Sequence, residues 1–137
     1  MIAIVKSNFN QPITDALLAS CKQTLECSGI DYKVFEVPGA IETVGTSKRV
    51  LSSPAYKAII VIGAVIKGDT DHYDYVCNFV TQGLAILSTQ SNIPIIFGIL
   101  TTQNEEQALD RALADRMNKG KEFAETAIEM IGVYNRL

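Results

Sequence analysis

Hydrophobic and polar positions change their period repeatedly along the chain, and each change marks an element. Ile2-Ala3-Ile4-Val5 is an unbroken apolar run that reads as a buried strand, closed by polar Ser7 and Asn8. Asn10 stands where a helix cap belongs, Pro12 falls in the first turn, and Ile13, Leu17, Leu18, Cys21 and Leu25 recur at helical spacing until Gly29. Tyr32 to Val37 alternates as a strand does, and Pro38-Gly39 stops it. A helix is predicted from Ala40 to about Leu51, then a loop at Ser52-Ser53-Pro54. Ala58 to Ile62 is the strongest strand signal, apolar throughout as a central parallel strand would be.

A long helix is predicted to start at Asp71 or His72, with Tyr75, Val76, Phe79, Val80, Leu84 and Leu87 on a broad apolar face. Asn92 to Gly98 gives another buried strand. Thr102 and Glu105 have capping-box spacing for a short helix through Arg111. Phe123, Ala127, Ile128 and Ile131 mark a last helix from about Lys119. Strands alternating with helices imply right-handed crossovers, hence a three-layer α/β/α sandwich around a four-stranded parallel sheet. With no repeat or linker in view, residues 1–137 read as one domain. The apolar residues spread widely round the long helix favour burial in a homo-oligomer.

Ligands of parallel sheets sit beyond the carboxyl ends of the strands. Four segments are predicted to leave the sheet there: Ser7 to Asn10, Val37 to Glu42, Gly63 to His72 and Phe97 to Thr102. The third is richest in chemistry. Its glycines permit close backbone approach, Thr70 and the amides of the next helix are suited to an anion, and His72 is the only histidine in the chain. A neutral imidazole there is a proton acceptor; the alternative is a surface histidine beside a turn. Phe9 is either a stacking platform or core, and Glu42 either binds ligand hydroxyls or serves its own helix start. Lys67, Arg111, Arg116 and Lys119 are candidate anion partners or plain solvated charges.

Charge narrows the classes. The net charge is -3 and the basic residues form no run, which excludes an extended nucleic-acid footprint but not a small anionic substrate. One histidine and scattered carboxylates give no metal cluster. The three cysteines, Cys21, Cys27 and Cys77, fit free thiols in a reducing compartment. No apolar run reaches membrane-spanning length, so the expectation is a soluble, cytoplasmic protein with no membrane association.

The order of the motifs resembles the lumazine synthase family over nearly the whole chain. The resemblance rests on Asn8-Phe9-Asn10 with Ile13-Thr14, on Val37 to Glu42, on Gly63 through His72 to Val76, on Phe97 to Thr102, on Glu106-Gln107-Ala108 with Arg111, and on Asn118-Lys119-Gly120. It implies a flavodoxin-like fold. It also implies a cofactor-free condensation of 5-amino-6-(ribitylamino)uracil with 3,4-dihydroxy-2-butanone 4-phosphate, the penultimate step of riboflavin biosynthesis. By position, Phe9 would stack on the pyrimidine, and Ala40, Ile41 and Glu42 would hold the ribityl chain and ring edge, beside a wall of Ala64, Val65 and Ile66. Gly68, Asp69, Thr70 and Arg111 would take the phosphate, with Lys119 nearby, and His72 would shuttle protons. Phe97 would reach a neighbouring subunit's site.

The family forms pentamers, and some members assemble hollow icosahedral shells; an association with riboflavin synthase is a further implied partner. This chain departs from the pattern at Ile41, where an aromatic is usual, at Asn8, where a basic residue is common, and at Lys67, where arginine is frequent. It starts at the first central strand, without the preceding strand that many members add to a neighbour's sheet, so the expectation is a pentamer or decamer and not a shell. Glycines usual in Ala112 to Arg116 are missing, which predicts an extended short helix. The competing readings are a non-catalytic riboflavin- or lumazine-binding homologue and a structural cage.

Overall fold

The computed structural model describes residues 1–137. Four strands, β1 (Ile2–Ser7), β2 (Tyr32–Val37), β3 (Ala58–Ile66) and β4 (Ile95–Thr102), alternate with helices α1 (Gln11–Cys27), α2 (Ala40–Val50) and α3 (His72–Gln90), followed by α4 (Glu105–Ala112) and α5 (Lys119–Tyr134). The strands form one parallel sheet in the order β2-β1-β3-β4. The expected three-layer α/β architecture is therefore the observed one. No helix is long and apolar enough to cross a membrane.

Strand alternation sorts the core into two halves. Ile2, Ile4, Ile60, Ile62, Ile96 and Leu100 face α1, α4 and α5, whereas Ala3, Val5, Ile59, Val61 and Ile99 face α2 and α3. On the first face α1 and α5 meet very closely: a Cβ on Gly120 would lie 2.1 Å from the carbonyl oxygen of Leu17, so only glycine admits this approach. β1 and β3, buried on both faces, carry the unbroken apolar runs that made them legible.

The structure corrects five expectations. β3 does not stop at Ile62 but continues to Ile66, because Gly63 to Ile66 stay paired with Ile99 to Thr102. β4 starts after buried Pro94 and ends at Thr102, so Phe97 lies inside the strand opposite Val61 and not at the sheet's carboxyl edge. Asn10 precedes α1 in a left-handed conformation (φ 58°, ψ 49°), and its side chain caps nothing in the helix. The cap of α4 is Asn104, whose side-chain oxygen accepts from the Gln107 N–H at 2.9 Å. Thr102 instead donates its hydroxyl to the Asn104 carbonyl, so the capping-box reading fails. Finally, α4 ends at Ala112 with Leu113 extended, so the missing glycines do not lengthen it.

Candidate functional site

β1 connects outward to β2 on one side, and the chain then crosses to β3 on the other. The loops after β1 and β3 therefore part at their carboxyl ends and leave a crevice there. A cavity of about 370 Å³ opens at this point, a size that suits a small organic ligand. Three segments wall it: Phe9 from the β1–α1 turn; Gly39, Ala40, Ile41 and Glu42 at the start of α2; and Ala64, Val65 and Ile66 with Gly68, Thr70, His72, Tyr73 and Val76 from the end of β3 into α3.

Local chemistry explains each wall. The left-handed Asn10 turns the chain sharply after Phe9, and its Nδ2 donates to the Ala64 carbonyl at 2.8 Å, tying the β1 turn to β3 across the crevice. The turn is also stitched to β2: the Asn8 N–H donates to Val37 O at 2.8 Å and the Phe9 N–H to Pro38 O at 3.0 Å. Phe9 itself projects into solvent, 68 % exposed, an apolar ring free to meet a flat ligand. Glu42 is exposed in the first turn of α2, where the helix dipole favours a carboxylate. Thr70 accepts the His72 N–H at 3.3 Å, which shapes the entry to α3 and leaves the imidazole exposed beside the cavity. Tyr73 is half-buried, its phenol pushed up first by burial and then by the Cys77 thiol.

Of the candidates named from the sequence, Phe9, Ala40, Ile41, Glu42, Ala64, Val65, Ile66, Gly68, Thr70 and His72 all come together at this cavity. Asp69 is exposed beside it without lining it. Five candidates stand elsewhere on the chain. Phe97 lies over a separate shallow hollow with Thr81, Leu84, Ala85, Ser88 and Ile95. Arg111 donates Nη1 to the Gln107 carbonyl at 2.9 Å within α4, and Lys119 pairs with Glu122 at 3.1 Å. Arg116 is not free, being held by Glu106 at 2.8 Å and Asp110 at 2.7 Å, and it does not line the cavity. Lys67 is exposed and does not line the cavity, and its N–H donates to Thr102 O. The crevice of a single chain thus contains no lysine or arginine. Gly39, Tyr73 and Val76 line it without having been singled out as site residues; the signal for Val76 was its one-turn spacing from His72, and Tyr73 adjoins that histidine in sequence.

No group of three or more histidine, cysteine or acidic side chains gathers to hold a metal ion. The arrangement offers a largely apolar slot with an open aromatic at its mouth, a carboxylate, an imidazole and exposed backbone near Gly68. Fold and crevice together define an α/β protein of the doubly wound class with a cavity of small-molecule size at its topological switch point. Residues 1–135 match the family of 6,7-dimethyl-8-ribityllumazine synthase. A 6,7-dimethyl-8-ribityllumazine synthase of Leuconostoc mesenteroides is 42% identical over 139 residues, covering 99% of this chain and 89% of that protein. The chain belongs to the 6,7-dimethyl-8-ribityllumazine synthase family.

Proposed function

We infer that the chain is a transferase of riboflavin biosynthesis that condenses 5-amino-6-(ribitylamino)uracil with 3,4-dihydroxy-2-butanone 4-phosphate, giving 6,7-dimethyl-8-ribityllumazine, phosphate and water. The observation that carries this reading is the convergence of Phe9, Glu42 and His72 on one cavity in a chain of this family. Phe9 stacks on the pyrimidine, and Ala40 to Glu42 receive the ribityl chain and ring edge against Ala64, Val65 and Ile66. The amine attacks the ketone to form an imine, and phosphate then leaves; both stages move protons, the role assigned to His72. Gly68 and Thr70, with Asp69 beside them, bound the end of the slot that takes the phosphate. Holding two substrates in register supplies much of the remaining rate.

A phosphate leaving group needs cationic stabilisation, and the crevice of one chain has none. The reading therefore places Arg111, Lys119 and Phe97 at the site of an adjoining copy, in a homopentamer or an assembly of pentamers. Exposed Tyr75, Phe79 and Ile86 on α3 support such an assembly, because water-facing side chains of this size are otherwise a liability. The reading includes a cytoplasmic location, in keeping with three free cysteines. It also includes association with riboflavin synthase, which would consume the product; co-sedimentation tests that part.

The deciding experiment is a steady-state assay with both substrates, following lumazine and phosphate. Turnover well above the uncatalysed rate is expected. In Arg111→Ala the KM for the butanone phosphate should rise far more than that for the pyrimidine, and in His72→Ala kcat should fall with the assembly intact. Tight binding of the ribityl-substituted pyrimidine without any product would replace this reading with that of a binding homologue.

A further inference from the structure

Lys6 is a charge where the strand pattern calls for an aliphatic side chain. It stands on the same face of β1 as Ile2 and Ile4, and like them it is fully shielded from solvent. Its Nζ nevertheless donates to Asp15 Oδ1 of α1 at 2.5 Å and to Asn8 Oδ1 at 2.9 Å, and it lies 3.7 Å from Glu36 Oε1 of β2. Taking an ammonium out of water is costly, and a well-packed apolar residue in such a place often leaves a protein equally stable or more so. Stability alone is therefore a poor account of Lys6. What the ammonium holds is a better one.

Phe9 follows Asn8 directly, and its exposed ring has little packing to fix it. The direction of that ring is set by the backbone of the turn from Asn8 to Asn10. Neutral hydrogen bonds to Val37, Pro38 and Ala64 hold the turn from the sheet side. The bond from Lys6 to Asn8 is charge-assisted, and through Asp15 it couples the same turn to α1. With the Asn8 side chain drawn down to Lys6, the next side chain along the turn is left to project over the crevice.

We propose that Lys6 is a positioning residue for the candidate site: its buried ammonium anchors Asn8 and thereby sets Phe9 over the cavity. The consequence for substrate rests on the reading that this cavity takes a ribityl-substituted pyrimidine. Lys6→Met keeps the chain length and removes the charge, while Asn8→Ala removes the acceptor and leaves the strand core untouched. Each variant raises the KM for 5-amino-6-(ribitylamino)uracil about three- to tenfold, the loss of one charge-assisted bond, and leaves kcat and the KM for the butanone phosphate within about twofold. The double variant loses no more than the worse single one, because both break the same contact. Lys6→Arg, which retains a charged donor, recovers part of the loss.

Amide hydrogen exchange at Asn8 and Phe9, measured without substrates, becomes faster in both single variants while β3 amides stay protected. If Lys6→Met does not fold, Asn8→Ala carries the test alone. Unchanged exchange at these two amides in Asn8→Ala, additive losses in the double variant, or equal KM increases for both substrates would overturn the proposal. A wild-type chain that makes no lumazine, with exchange still accelerated in the variants, overturns the functional reading and leaves the positioning role standing.

Discussion

The two helical layers are built from helices of similar length, 17 residues in α1 and 19 in α3, yet they end up in opposite conditions. The layer of α1, α4 and α5 closes on itself. Leu17, Cys21 and Leu25 of α1 and Ala124 and Ala127 of α5 are all fully buried, and Gly120 lets the two helix backbones touch. The layer of α2 and α3 buries Val80 and Leu84 but leaves Tyr75 73% and Phe79 52% exposed. Small residues on facing helices allow a layer to be completed within one chain. Large apolar residues on two flanks of one helix cannot all reach a single sheet. The first layer is finished by the chain itself, and the second is shaped to meet something else.

Substitutions at glycines on either side break this comparison most directly. Gly120→Ala forces a methyl group onto the Leu17 backbone, which cannot step aside; the expected loss is about 3 kcal/mol or more in denaturant unfolding. The closed layer should also show in alkaline titration. Burial raises the Cys21 thiol from 9.0 to about 12, so between those values the unfolded chain gives up a proton that the folded chain keeps. Stability is then complete below pH 9.0 and falls as pH rises towards 12, by about 1.4 kcal/mol per pH unit; Cys21→Ala should flatten that slope.

Gly83→Ala on the open layer meets only the side chain of Val44, at 2.6 Å, which can rotate, and the helix gains alanine's better propensity. Its thermal unfolding should shift by no more than the equivalent of about 1 kcal/mol. The smallest effect on the subunit is expected for Tyr75→Ser with Phe79→Ser, within about 0.5 kcal/mol for exposed positions. The same pair should nevertheless lower the particle mass measured by light scattering. An unaltered mass would show that the open layer is not what joins the copies.

Both ends of β2 and the starts of α3 and α5 could be read closely because strong periodic runs mark them, with Pro38-Gly39 closing β2. What escaped was set by partners distant in sequence. Gly63 looked like the end of a strand, but pairing with β4 carries the ladder on to Ile66. Thr102 and Asn104 both suit a cap, and only the three-dimensional course of the chain chooses Asn104. Asn10 has the composition of a cap, while its side chain is spent on Ala64, 54 residues away. Most of the crevice was legible because loops at one sheet edge must converge. Phe97, Arg111 and Lys119 do not reach it within one chain, a fact no pattern along a single sequence encodes. The burial of Lys6 was equally hidden, since a lysine at the end of an apolar run reads as the point where the strand meets water.

The first strand of this chain is an interior strand of the sheet, with β2 on one side and β3 on the other. During synthesis at about 5–20 residues per second, β1 therefore waits: the neighbour on its second side is complete only at Ile66, roughly 3–13 s after Ile2 has been made. Throughout that interval a strand that opens with four apolar residues, Ile2 to Val5, has an unpaired edge. The crevice, which needs Phe9 and Ala64 side by side, cannot exist before the wait is over. Faster translation through residues 8–66 would shorten the time in which a nascent chain can pair that edge with the wrong partner.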